Sequence, residues 1–374
     1  MMEETIHIVG AGIGGLATAL CLQQQGLTIK VMESAPEIKP VGAGIVMANN
    51  AMQVFDQLGI REKVDAAGHR VSCMRITDAQ FNDLSFIDLH PFEQHYGVHN
   101  TAIHRADLQR ILADELGFEH IHLSKRLVDI EIKEGFNLRF EDEIETRGDI
   151  VIGADGIRSV VRQKLFPPST IRDSGQICWR GICDLVLAER YRYAALEAWG
   201  PGKRFGFVAL NTRQVYWYAV ANDDVTSADL SMLFRDFHPE VLEMIAATPA
   251  DAVFFSRLYD LQPIHQWYHG KACLIGDAAH ATTPNLGQGA CQAVEDAYVL
   301  GKLFGKGLPV EQVFQRYQSI RIKKAHQVVQ TSWMIGKVSH WQNALGIGIR
   351  NFVMKSLPSS IRQAQLKPLF ELAN

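Results

Sequence analysis

At 374 residues the chain is longer than one compact core usually grows, so two lobes around a shared cleft are expected. Hydrophobic residues make up 47% and charged residues 21%, the balance of a globular protein, which sets aside disorder and fibrous architectures. A formal net charge of -4 offers no polycationic surface and argues against nucleic acid as a partner.

The chain opens Met1-Met2-Glu3-Glu4 without the basic and apolar regions of a signal peptide. No run approaches the ~18 apolar residues of a membrane span, so a cytoplasmic protein is expected. Thr5 to Val9 is short, apolar and β-branched, which reads as a strand. Ile13, Leu16, Ala17, Leu20 and Cys21 then recur at helical spacing as far as Gly26. Leu27 to Met32 alternates like a second strand, which should pair in parallel with the first. A further helix is expected from Arg105 to about Gly117, with Leu108, Ile111, Leu112 and Leu116 on one face. Short strands follow at Ile130-Glu131-Ile132 and Leu138-Arg139-Phe140, then a hydrophobic strand from Asp149 to Ala154. Between Gly175 and Phe255 the chain turns to short aromatic and β-branched runs such as Val215 to Val220, the pattern of antiparallel sheet. Ala272 to Ile275 returns to a buried strand, Ala290 to Phe304 reads as a helix, and the remainder is mainly helical. The six cysteines contain no C-x-x-C pair, so no metal site is expected.

The first strand gives way to the first helix through Gly10-Ala11-Gly12-Ile13-Gly14-Gly15, which fits G-x-G-x-x-G. Gly10 permits the tight turn, Gly12 lets the backbone approach a pyrophosphate, and Gly15 lets helix and strand pack closely. The unpaired N–H groups and positive end of the helix then hold phosphates. Glu33 follows at the end of the second strand, where a carboxylate accepts hydrogen bonds from a ribose. These features point to a dinucleotide but do not separate NAD from FAD.

Two later segments carry that decision, Gly153-Ala154-Asp155-Gly156-Ile157-Arg158-Ser159 and Leu274-Ile275-Gly276-Asp277-Ala278-Ala279-His280. Together with Gly10 to Gly15 and Glu33, they resemble the three fingerprints of the single-component FAD-dependent aromatic monooxygenases, the family of para-hydroxybenzoate hydroxylase, urate hydroxylase and zeaxanthin epoxidase. The resemblance runs from residue 5 to about residue 320. It implies an α/β fold: a Rossmann-like FAD-binding lobe (1–70, 101–175 and 268–325), an inserted antiparallel-sheet substrate lobe (71–100 and 176–267) and a helical C-terminal segment (326–374). It places Gly10, Gly12, Gly14, Gly15, Glu33 and Ser34 at the adenosine and pyrophosphate. Arg105 matches an arginine directed at the FAD, Leu127 offers backbone to the adenine, and Asp277, after Gly276, matches the carboxylate on the ribityl chain. Pro284, Asn285, Leu286, Gly287, Gln288 and Gly289 match the loop beneath the isoalloxazine. Asp155 is assigned to the cofactor as well, against the alternative that it caps local backbone. His280 is expected to be structural. Cys291 stands where many relatives carry Asn, which leaves one flavin contact open.

The implied reaction is oxygenation. NADH or NADPH reduces the flavin, dioxygen adds to give a flavin C4a-hydroperoxide, and a small aromatic, heteroaromatic or unsaturated substrate is hydroxylated or epoxidised. No side-chain catalyst is expected beyond groups that position the substrate and exclude water. The substrate candidates by position are Trp179, Arg180, Arg204, Phe207, Tyr216 and Trp217, with Pro284 beside them. A guanidinium at Arg204 suits a carboxylate or phenolate. The competing readings are an FAD-dependent reductase of double bonds and a non-oxygenase flavoprotein recruited to a membrane or partner. The last rests on the C-terminus. From Arg316 onward there are nine Lys and Arg against one acid, Glu371, and Asn343 to Leu357 mixes apolar residues with Arg350 and Lys355 in an interfacial pattern.

Overall fold

A computed structural model describes residues 4–38, 43–225 and 229–373, so the opening residues 1–3, on which part of the leader expectation rests, lie outside the described residues. Ile6–Val9 is fully buried and sits inside a six-stranded sheet. The strand order there is Tyr268–His269, Ala272–Leu274, Ile150–Gly153, Ile6–Val9, Ile29–Met32 and Ile121–His122. Its first four pairings after the Tyr268–His269 hairpin are parallel, with Ile6 opposite both Ile150 and Ile29. Strands buried on both faces read as continuous apolar runs, which is why Ile150-Val151-Ile152 shows no alternation. The helices Ile13–Gln23 and Gly289–Phe304 pack against one another over this sheet.

The second sheet has seven strands, in the order Phe254–Leu261, Ile171–Asp184, Gln214–Asn222, Lys203–Ala209, Ala194–Gly200, Cys73–Asp78 and Asp83–Asp88. It is antiparallel except at one seam, where Ala194–Gly200 runs parallel to Cys73–Asp78. The seam joins two stretches far apart in sequence, and a parallel pair needs such a long connection. One face of this sheet carries its own core, with Trp179, Phe205, Phe207 and Trp217 packed against Phe234, Val241 and Met244. The other face turns toward the six-stranded lobe, where Val208 and Tyr216 join the main core.

The C-terminal part is the long helix Val310–Ser339 followed by Ala344–Ser356 and Ser359–Phe370. It is tied back onto the body rather than free. Lys324 donates to the Glu371 carbonyl, Gln53 donates to the Phe370 carbonyl, and the Phe370 ring meets Phe92 edge-on at 5.0 Å. No helix among the described residues is long and apolar enough to cross a membrane.

Candidate active site

The glycine-rich turn is built as its residue types require. Gly10 has φ +107°, a conformation that L side chains rarely adopt, and its N–H donates to the Met32 carbonyl at 2.7 Å. A Cβ on Gly15 would stand 2.0 Å from the Gly10 carbonyl oxygen, so helix and turn touch only because that atom is missing. A Cβ on Gly12 would meet nothing within 4 Å, so the space beside the helix N-terminus is open. Gly14 packs under the Ala293 methyl of the neighbouring helix. Glu33 closes the turn itself: Oε2 accepts from the Ala11 N–H at 2.7 Å, and Oε1 accepts from the Ala35 N–H at 2.8 Å and the Ser34 hydroxyl at 3.1 Å. Gln109 adds a donor to the Ala11 carbonyl at 2.7 Å, a contact that no sequence motif announces.

Among the described residues, two charged groups at the cleft have no hydrogen-bond or ion-pair partner for their side chains. Arg105 begins the helix Arg105–Leu116, where the side chain of His104 caps the Ala106 N–H, and its guanidinium has no ion pair among the described residues. Asp277 follows the tight Gly276 turn, and its carboxylate accepts no hydrogen bond from any described residue. Asp277 is exposed to the open cleft, yet the protein packed around it desolvates the carboxylate and raises its pKa, opposed by the nearby charges of His280 and Arg105. Pro284–Leu286 forms a single helical turn, Gly287 adopts φ +61°, and Gly289 starts the helix that runs to Phe304. The first N–H groups of that helix have no intrahelical acceptor. The Gln288 side chain turns inward, accepting from Asn50 at 3.3 Å and Gln292 at 3.0 Å, so only its backbone can serve the cleft. Leu127 opens a strand with its side chain in the core.

Asp155 divides its two oxygens. Oδ2 accepts from the N–H groups of Val160 and Val161 at 2.7 and 3.1 Å, the capping role, while buried Oδ1 has no partner among the described residues. Burial pushes this carboxyl up from its ordinary pKa. Cys291 is buried, with Sγ accepting from the Ala48 N–H at 3.3 Å, and burial pushes its thiol up to about 12.

Beneath the Gly276-Asp277 turn lies a charged cluster that the sequence reading missed. Asp296 accepts from the Gly276 N–H at 2.9 Å, from His280 Nε2 at 2.6 Å and from Arg321 Nε at 2.8 Å. Arg321 also donates to Glu295 at 2.5 Å and to the Gln292 side chain at 2.7 Å, and Lys324 reaches both Glu295 oxygens at 2.8 and 2.9 Å. Arg321, Glu295 and Asp296 are completely buried. Burial opposes ionisation of Asp296, but His280 and Arg321 together outweigh it and hold the carboxyl at about 2. The cluster fixes the turn that presents Asp277, and His280 belongs to it. The available signal was two adjacent acids inside the otherwise apolar run Ala290 to Phe304, since buried charge demands a partner elsewhere in the chain.

Strand alternation divides the six substrate candidates. Register pairs Arg180 with Tyr218 and Arg204 with Val220, which puts Arg180, Arg204, Tyr216 and Tyr218 on the face toward the first lobe. Trp179, Phe207 and Trp217 fall on the opposite face, and Trp217 Nε1 is spent on Thr248 at 2.8 Å. The geometry therefore withdraws those three aromatics from the cleft. They are the core of the second lobe, and composition alone does not tell one face of a strand from the other. Tyr216 lies against Gly44, and the Tyr218 ring lies over Gly206, where a Cβ would come within 2.2 Å of it. Arg204 is 1% exposed; it donates to Glu197 at 3.2 Å and, in close contact, to Asn285 of the Pro284–Leu286 turn. Glu197 also accepts from Trp199 Nε1 at 2.5 Å and from the Tyr218 hydroxyl. Burial and the Glu197 carboxylate raise Tyr218 well above its ordinary pKa. Arg204 Nε is buried and without an acceptor among the described residues.

Residues 3–332 match the family model described as an FAD binding domain. The chain belongs to this family of flavin monooxygenases. It is 36% identical over 363 residues to the aurachin C monooxygenase/isomerase of Stigmatella aurantiaca, covering 95% of this chain and 94% of that one. It is 30% identical over 383 residues to the 2-heptyl-3-hydroxy-4(1H)-quinolone synthase of Pseudomonas aeruginosa, covering 98% and 97%. The crystal structure of Klebsiella pneumoniae HpxO complexed with FAD and uric acid superposes with a TM-score of 0.88 at 25% identity, over 98% of this chain and 96% of that one.

The residues of the first lobe fit FAD. The open space beside Gly12, and the Arg105 guanidinium and Asp277 carboxylate that have no partner among the described residues, leave a phosphate site, a cation and an acceptor in the first lobe.

Proposed function

We propose that this flavin monooxygenase consumes NADH or NADPH and dioxygen to hydroxylate an electron-rich carbon of a flat, nitrogen-containing heteroaromatic substrate. The observation that carries the reading is the buried Nε of Arg204, an uncommitted donor on the sheet face turned toward the flavin loop. A buried donor without an acceptor is unfavourable unless a ligand supplies one, and an enolate or amide oxygen on a heterocycle does so. The quinolone in the name of one relative and the uric acid in the HpxO complex are both nitrogen heterocycles bearing such oxygens.

Bound FAD supplies the electron transfer and oxygen activation that no side chain here can provide. Gly10, Gly12 and the first helix N-terminus would hold the pyrophosphate, Glu33 would face the ribose, and Asp277 would accept from the ribityl hydroxyls. Arg105 would neutralise phosphate charge. Arg204 orients the substrate oxygen while Glu197 and Asn285 hold the guanidinium, so substrate position and the flavin loop are set by one rigid group. Tyr216 packs against Gly44 and narrows water access to the reacting face.

The test is a screen of 4-quinolones, purines and hydroxybenzoates for stimulated NADH or NADPH oxidation, with product mass measured under isotopically labelled dioxygen. One labelled oxygen atom in a heteroaromatic product is the expected outcome. Turnover that persists without dioxygen, or oxidation that yields only hydrogen peroxide with every compound, overturns it.

A further inference from the structure

The basic C-terminal segment does not survive as a continuous patch. Arg321 and Lys324 are consumed by Glu295 and Asp296. Arg350 is 4% exposed, donating to the Ser339 carbonyl at 3.0 Å and lying 5.1 Å over the Trp199 ring. What remains is sharper. The helix Ala344–Ser356 is pinned through Arg350 to the cleft-side residue Trp199, and its outer face presents Leu345, Ile349, Phe352 and Val353 at 76, 55, 72 and 50% exposure. Trp341, 38% exposed, lies in the link before the helix. Positions 345, 349, 352 and 353 recur every three to four residues, so they form one stripe along the helix.

We propose that this stripe docks the protein onto an anionic lipid bilayer. A helix held on one side by a buried arginine cannot turn its apolar residues inward, so the fold maintains the exposed row. The chain from His340 to Phe370 contains no Asp or Glu, and Lys355, Arg362 and Lys367 lie within it. Within this segment apolar side chains are flanked by cations without acids, and on the strand Asp83–Asp88 against which the helix packs Asp83 is paired with Arg75, so the surface matches acyl chains below phosphate headgroups. The same charge pattern disfavours a second copy of this chain as the occupant. In a two-fold dimer the stripe would meet itself and set these cations against their own counterparts. Docking here brings the Trp199 wall of the substrate lobe to the membrane surface, where apolar compounds partition.

The experiment is co-sedimentation of the full-length, FAD-loaded protein with phosphatidylglycerol–phosphatidylcholine vesicles, compared with pure phosphatidylcholine, at low and high salt. The wild type should pellet with the anionic vesicles at low salt. Ile349→Glu/Phe352→Glu should reduce the bound fraction by roughly tenfold or more, since burying each such side chain contributes a factor of that order. Lys355→Glu/Lys367→Glu should remove the preference for anionic lipid. Unchanged flavin absorbance shows that the variants are folded, and no readout depends on the substrate, so failure here is separate from failure of the proposed reaction. The idea is overturned if the wild type stays in the supernatant with both vesicles, or if both variants bind like the wild type. It is equally overturned if light scattering finds a dimer that Ile349→Glu/Phe352→Glu dissociates.

Discussion

Replacing Arg321 by Met tests whether the buried cluster under the Gly276-Asp277 turn supports flavin binding. Arg321 is fully buried and donates to Asp296 at 2.8 Å, Glu295 at 2.5 Å and Gln292 at 2.7 Å. Removing one partner from a buried ion pair typically costs about 3–5 kcal/mol, because the charge left behind remains desolvated. Here Lys324 stays on both oxygens of Glu295 at 2.8 and 2.9 Å, and His280 stays on Asp296 at 2.6 Å. The loss should therefore fall at the lower end, about 3 kcal/mol, and lower the unfolding midpoint by roughly 4 °C in a chain of this size. Asp296 also anchors the Gly276 N–H at 2.9 Å, so flavin should be released at lower temperature than in the wild type. The assay is a thermal ramp read by intrinsic flavin fluorescence, which rises on release, beside circular dichroism. Lys323→Met, an exposed change on the same helix, serves as the control. An Arg321→Met protein that melts and releases flavin with the wild type would refute the reasoning.

Gly15→Ala should yield protein without flavin, or no folded protein, because the new methyl would stand 2.0 Å from the Gly10 carbonyl and backbone cannot yield there; the flavin-to-protein absorbance ratio decides it. Tyr216→Phe should alter substrate KM or the coupling of NADH or NADPH oxidation to product with little effect on melting. Trp217→Phe should do the reverse, lowering stability by about 2 kcal/mol, through the cavity left in a fully buried site and the loss of one of the two hydrogen bonds of the Thr248 hydroxyl, measured by denaturant titration. Stability should also fall at acid pH. Asp296 is depressed in the fold from 3.8 to about 2, so its contribution is present above about pH 4 and is lost as pH falls through about 2. That difference corresponds to about 2 kcal/mol, and Asp296→Asn should flatten this part of the stability–pH curve.

How much was legible follows from the physics of each feature. Gly10, Gly12, Gly15 and Glu33 are local: turn, close approach and acceptor act within a single strand–helix–strand unit, so spacing alone carries them. The helix Arg105–Leu116 and the buried strand Ile150–Gly153 fell within a residue or so of their expected ends, since periodicity and apolar runs are also local signals. Asp155 was read for the cofactor, and one of its oxygens caps a helix instead, a role that depends on where the chain turns next.

The sequence determined a dinucleotide lobe and, through three ordered motifs, its flavin family. Tertiary structure decided which side of the seven-stranded sheet faces the first lobe, separating Arg180, Arg204 and Tyr216 from Trp179, Phe207 and Trp217. It also decided that Arg321, Lys324 and Arg350 are internal rather than parts of a basic tail. The reason is the same in each case. Which face of a strand is covered, and which charge meets a partner, depend on residues distant in sequence, so no local pattern encodes them.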